Sequence, residues 1–186
     1  MSRFSTIKMT AKQFLMLGED PPGVRLELAH GEIVVSPSPS PDHGYTLLSL
    51  AVVLKTYADT NDLGIVLSDI DTPFGEYDVR RPDIFFFAKK RKHLIGEKWI
   101  EGAPDLAIEI TSPGSRKLDR LDKFELYAAG KVKHYWIVDP RQRTIEAYRL
   151  SAGKYVGRVR GSGSDVVQLP PFPKLKIELA KLWRPK

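Results

Sequence analysis

Beyond Gly64 the chain passes through five short apolar runs, GIVLSDI, IFFFA, LAIEIT, HYWIVDP and TIEAYRL, with one helical stretch, residues 115–129, between the third and fourth. Short runs of aliphatic, β-branched and aromatic residues between turn signals read as strands. Phe86, Trp136 and Ile137 lie in runs that are apolar on both faces, and such strands must be covered on both sides. The pattern therefore calls for an α/β (α+β) three-layer fold, a mixed central sheet flanked by helices.

The first third of the chain supplies the other elements. Thr10 followed by Gln13 is a capping-box pattern, which starts a short helix at Ala11 and lets it run to Gly18. VRLELAH and GEIVVSP alternate apolar and polar residues around His30-Gly31, so they form a hairpin with Glu27 on the polar face of its first strand. After the turn-prone SPSPSP, helical spacing of Leu47, Leu50, Ala51, Leu54 and Ala58 predicts a long amphipathic helix from His43 to Asn61. The chain ends in a short strand, a proline-rich bend and a final apolar segment.

With 186 residues, 42% of them apolar, and no linker dividing the chain, residues 1–186 read as a single domain. No run of eighteen apolar residues occurs and the N-terminus has no signal-peptide pattern, so a cytoplasmic protein is expected. One Asn and three Gln among abundant Arg, Lys and Glu are in keeping with a thermophilic source. Cysteine is absent, leaving oxygen or histidine donors for any metal and making a hard cation the natural choice. The net charge of +6 favours an anionic partner. Basic residues bunch in RRP (80–82) and KKRKH (89–93), on either side of the run that carries Asp83.

Two carboxylates stand out, Asp83 after Pro82 and Glu109 in LAIEIT. Strand alternation puts Glu109 and Asp105 on one face, but four residues apart, about 13 Å, too far to share an ion. Asp83 lies on the preceding long strand, and strands consecutive in sequence are usually neighbours. Two such carboxylates repel one another unless a cation lies between them. In the following helix Asp119, Lys123 and Tyr127 share a stripe, so Lys123 can emerge at the edge of the core beside Glu109. An ammonium there can orient a water and neutralise charge on a phosphoryl group.

Each residue also has a plainer assignment. Lys123 can pair with Asp119 on a solvated helix face, Asp83 can be a turn residue, and Glu27 can be a solvent-facing cross-strand residue. His43 can serve only to open its helix, and KKRKH can be a solvated loop. Glu109 resists such a reading, because a lone glutamate between Ile108 and Ile110 is costly to bury without a partner.

RLELAHGEIVVSPSPSPDH, VRRPDIFFF, GAPDLAIEITSPGS, DRLDKFELYAAGKVKHYWIVDP and TIEAYRL together resemble the Uma-type family of restriction-endonuclease-like proteins, a branch of the PD-(D/E)xK nuclease superfamily. The likeness spans nearly the whole chain and implies a restriction-endonuclease-like fold. By similarity Asp83 and Glu109 are the metal ligands, Glu27 is a further acidic member of the catalytic site, and His43 contacts the metal shell or a phosphate. The resemblance also implies Mg²⁺ or Mn²⁺ as cofactor, nucleic acid, chiefly double-stranded DNA, as partner, and a homodimer. Arg80 and Arg81 are the candidate backbone contacts. One departure matters: the motif lysine, due two residues after Glu109, is replaced by Thr111, and its role passes to Lys123. Without that lysine in the site, the alternative is a degenerate nuclease fold that binds nucleic acid or protein.

Overall fold

The computed structural model describes residues 8–36, 38–111 and 116–185, with side chains from 122 onward in the helix that opens at Arg116. The expectations for Ser115 and for the side chain of Asp119 fall outside these residues. In chain order the elements are α1 (Ala11–Leu15), β1 (Arg25–Ala29), β2 (Glu32–Ser36), α2 (Pro41–Thr60), β3 (Gly64–Leu67), β4 (Thr72–Pro73), β5 (Val79–Arg80) and β6 (Ile84–Ala88). A 3-10 turn (Lys89–Leu94), β7 (Leu106–Ile110), α3 (Arg116–Ala129), β8 (His134–Asp139), β9 (Thr144–Ser151), β10 (Lys154–Ser162), β11 (Val166–Leu169), β12 (Phe172–Glu178) and a second 3-10 turn (Leu179–Leu182) follow.

The central sheet has the order β10-β9-β8-β7-β6-β3. Only β7 and β8 run parallel, which the α3 crossover permits, and the other pairs are antiparallel. One face carries Ile84, Phe86, Leu106, Ile108, Trp136 and Val138 into a core closed by α2, by the β11-β12 ribbon and by Trp183. The other carries Ala107, Tyr135 and Ile137 against Tyr127 and Ala128 of α3. These two cores make the three layers that the doubly apolar runs demand.

At Gly64 the chain passes so close to β6 that an added Cβ would lie 2.0 Å from the Phe87 carbonyl oxygen, so a side chain here would force β3 off the sheet.

A second sheet, β2-β1-β5-β4, stands beside the first. Its hairpin turns at His30 and Gly31, both with positive φ, as a two-residue connection requires. The capping box of α1 forms as expected, but the helix ends at Leu15, where the Met16 amide is shared between the carbonyls of Lys12 and Gln13. Among the described residues no helix is long and apolar enough to cross a membrane.

Candidate active site

The candidate site lies at the start of β6, where its pairing with β7 begins. Their register pairs Ile84 with Ile108 and Phe85 with Ala107, and one residue further it sets Asp83 opposite Glu109. Pro82 has no amide to offer and Asp83 opens the strand. Its buried carboxylate instead accepts the Ile110 amide proton at 2.7 Å and lies 3.2 Å from His43 Nε2. Burial alone would raise the Asp83 pKa, but His43, the charge of Lys123 and the Ile110 amide outweigh it and hold the group below its ordinary value.

His43 comes from the first turn of α2, where the Ser40 side chain accepts the His43 backbone amide proton. The side chain is buried and its Nδ1 has no hydrogen-bond partner among the described residues. It touches Asp83 instead of presenting itself to solvent.

Glu109 points to the α3 side of the sheet. Its carboxylate accepts from Lys123 Nζ at 2.7 Å and from the Tyr127 hydroxyl at 2.5 Å. Lys123 is 7% exposed and Glu109 3%, so the ammonium sits in the core edge and not on a solvated helix face. Thr111, the residue after β7, is buried, its hydroxyl has no hydrogen-bond partner among the described residues, and it supplies no charge. The ammonium absent there arrives from α3, and its charge also reaches Asp83. Burial, with the Glu109 charge and the more distant Glu27 charge added, pushes the Tyr127 hydroxyl well above its ordinary value. It remains a donor.

Glu27 is buried, not solvent-facing. It accepts the Arg81 amide proton at 2.9 Å and lies 3.9 Å from the Arg80 guanidinium. The two arginines depart from the sequence-based expectation of phosphate contact. Arg80 is 1% exposed and pairs with Asp78, while Arg81 is held by Asp71 and Asp20. Both charges are paired with acids of the fold.

Asp105 is separate from the site, as its spacing required. It accepts from the Ala88 amide at 2.9 Å, from Arg91 at 3.0 Å and from Lys133 at 2.7 Å. The KKRKH segment is thus pinned through Arg91, while Lys90, Lys92 and His93 are exposed. Tyr127 is the member that sequence reasoning did not assign, although it lies four residues after Lys123 on the same stripe. That spacing, and the need of a buried tyrosine hydroxyl for a partner, was the signal.

No group of three or more His, Asp or Glu placed to hold a metal ion occurs among the described residues. Magnesium does not need one: it is commonly held by one or two carboxylates, with water and substrate phosphate completing the shell. Asp83 and Glu109 offer only carboxylate oxygens, the donor type that a hard divalent cation takes. The donor set fits a hard divalent cation.

A mixed sheet between two helical layers, with Asp, Glu and Lys gathered where two of its strands begin to pair, defines a restriction-endonuclease-like fold. The chain belongs to the Uma2 family, whose model, described as "Putative restriction endonuclease", matches residues 11–180. Among solved structures it is similar to "a putative nuclease belonging to DUF820" from Anabaena variabilis ATCC 29413. The TM-score is 0.77 at 22% identity, over 94% of this chain and 97% of that one. A lesser likeness, with a TM-score of 0.39 at 16% identity, covers 65% of this chain and 13% of the type IIG restriction endonuclease BpuSI. No curated protein matches the chain.

Proposed function

We propose that this protein is a Mg²⁺-dependent endonuclease that hydrolyses phosphodiester bonds of double-stranded DNA. The observation that carries the reading is the 2.7 Å contact between Lys123 Nζ and Glu109. It supplies, from α3, the ammonium that Thr111 lacks. Family membership and the nuclease-like fold support the same class of activity.

Asp83 and Glu109 would hold the ion. When bound, it lowers the pKa of a water and polarises the phosphoryl oxygen. The remaining roles belong to the chain itself. Lys123 offers a fixed positive charge to the nucleophile or to the charge developing on the phosphoryl group, and because it is buried it does so with little screening. Tyr127 keeps its proton and fixes the Glu109 carboxylate. His43 and the Ile110 amide orient Asp83 and keep it ionised. Glu27, tied to Arg80 and the Arg81 amide, closes the acidic side of the site. Cutting both strands of a duplex calls for two such sites, so a homodimer belongs to this reading.

The test is hydrolysis of single- and double-stranded DNA and RNA with Mg²⁺ or Mn²⁺, for wild type and for Asp83→Ala, Glu109→Ala and Lys123→Ala, with circular dichroism to verify folding. Wild type should cut duplex DNA, EDTA should stop it, and each substitution should slow it by about 100-fold or more. Metal-independent cutting, or undiminished cutting by Glu109→Ala, would overturn the reading.

A further inference from the structure

With Arg80 and Arg81 neutralised inside the fold, the surface that meets a polyanion must lie elsewhere. Charge is distributed very unevenly along the chain. Residues 131–186 contain thirteen Lys and Arg against four Asp and Glu, whereas residues 1–130 contain sixteen against nineteen. Two of the four acids, Asp139 and Glu146, are buried. In the β9-β10 ribbon Arg149, Lys154, Arg158 and Arg160 are all exposed, and among the described residues none has a carboxylate within ion-pair distance. Several cations elsewhere are matched, Arg80 by Asp78 and both Arg91 and Lys133 by Asp105, while Lys90 and Lys92 of the KKRKH segment are exposed.

Position links this ribbon to the site. β10 is the outer strand of the central sheet, and among the described residues no further strand pairs with its outer edge. The sheet register runs from Glu109 to Ile137, from Ile137 to Glu146 and from Glu146 to Arg160. Glu109 and Arg160 therefore stand on one rung, three strand spacings or roughly 14 Å apart. Edge strands also carry charge to discourage pairing with other strands, but either sign serves that purpose. β10 carries cations only.

We propose that the open β10 edge, with Arg160 on the Glu109 side of the sheet, Arg149 and Lys154 on the other and Arg158 at the bulge between them, is the border along which the phosphate backbone of duplex DNA lies on its way to Asp83 and Glu109. The assignment rests on the nuclease reading above. The cations meet backbone phosphates, so they position the duplex without reading its sequence.

Binding and chemistry are separated in the test. Binding of a fluorescein-labelled DNA duplex is followed by anisotropy in EDTA across a salt series, for wild type, Arg158→Glu/Arg160→Glu and Arg149→Glu/Lys154→Glu. Hydrolysis of bis(p-nitrophenyl) phosphate with Mn²⁺ reports the site alone, since so small a diester does not span the edge. Charge reversal keeps β10 protected against strand pairing, so melting temperature and elution volume should match wild type. Should a reversal unfold the chain, Arg158→Gln/Arg160→Gln removes the charge at similar length.

Each double variant should bind the duplex at least about tenfold more weakly, with a salt slope shallower by about 0.9 for each phosphate that is no longer neutralised. Small-diester hydrolysis should be unchanged. Unchanged duplex affinity and salt slope in both variants would overturn the assignment, even if wild type hydrolyses the small diester and the nuclease reading stands. A wild-type preference for polyglutamate over the duplex would overturn it too. If duplex binding falls in the variants while wild type hydrolyses no diester, the binding face stands and the nuclease reading fails.

Discussion

Two acids four residues apart, Asp105 just before β7 and Glu109 within it, show how much a single residue's surroundings decide. Their side chains point to the same side of the sheet, yet Asp105 is a structural hub that holds Ala88, Arg91 and Lys133, while Glu109 is held by Lys123 and Tyr127 beside Asp83. Burial pushes the Asp105 pKa up, but Lys133, the Ala88 amide and Arg91 outweigh it and hold the group below its ordinary value of 3.8. A carboxylate depressed in the folded state contributes stability that is present above 3.8 and is lost as pH falls through the folded value. Asp105→Asn should therefore destabilise the protein by about 1–3 kcal/mol near neutrality, with the two urea midpoints converging below pH 3.8. A gap that persists undiminished in acid would show that Asp105 acts through packing alone. At the site itself, the sequence marked Glu109 as needing a partner but left the choice between Lys123 reaching inward and Lys123 pairing on the helix surface. Only the tilt of α3 against the sheet settles that, because Glu109 and Lys123 meet across fourteen residues of chain.

At the scale of the element, helix ends place chemistry. α2 is capped by Ser40, whose side-chain oxygen accepts from the His43 amide, and that first turn delivers the His43 ring to Asp83. Ser40→Ala should lower stability by about 1 kcal/mol and slow hydrolysis, both measurable against the Thr variant, which retains a capping hydroxyl. Equal loss in Ser40→Thr and Ser40→Ala would rule out the cap as the cause. The periodicities of α2 and of the long strands were legible, since burial on one helix stripe or on two strand faces leaves a direct record in residue order. The two-residue strands β4 and β5 left none. They exist because β1 and β5 pair, Leu28 to Val79, across some fifty residues, and it is this pairing that buries Glu27 and Arg80.

For the whole molecule, one core joins α2, five strands of the central sheet, the β11-β12 ribbon and Trp183, so residues 1–186 should unfold as one unit. Trp136 and Trp183 lie in that core, and tryptophan fluorescence and far-UV circular dichroism should give coincident urea transitions. Separate transitions would mean that the β2-β1-β5-β4 sheet unfolds independently. The sequence by itself determined the layered fold, the separation of Asp105 from Glu109 and the family to which the residues point. Each of these is written in local periodicity and motif order. Tertiary structure alone decided that Lys123 and Tyr127 both meet Glu109, that Arg80 and Arg81 are spent on internal acids, and that Arg149, Lys154, Arg158 and Arg160 come together on the β9-β10 ribbon with no carboxylate beside them among the described residues. These are pairings between residues distant in sequence, and a charge acquires its role only when the fold determines whether an opposite charge lies beside it.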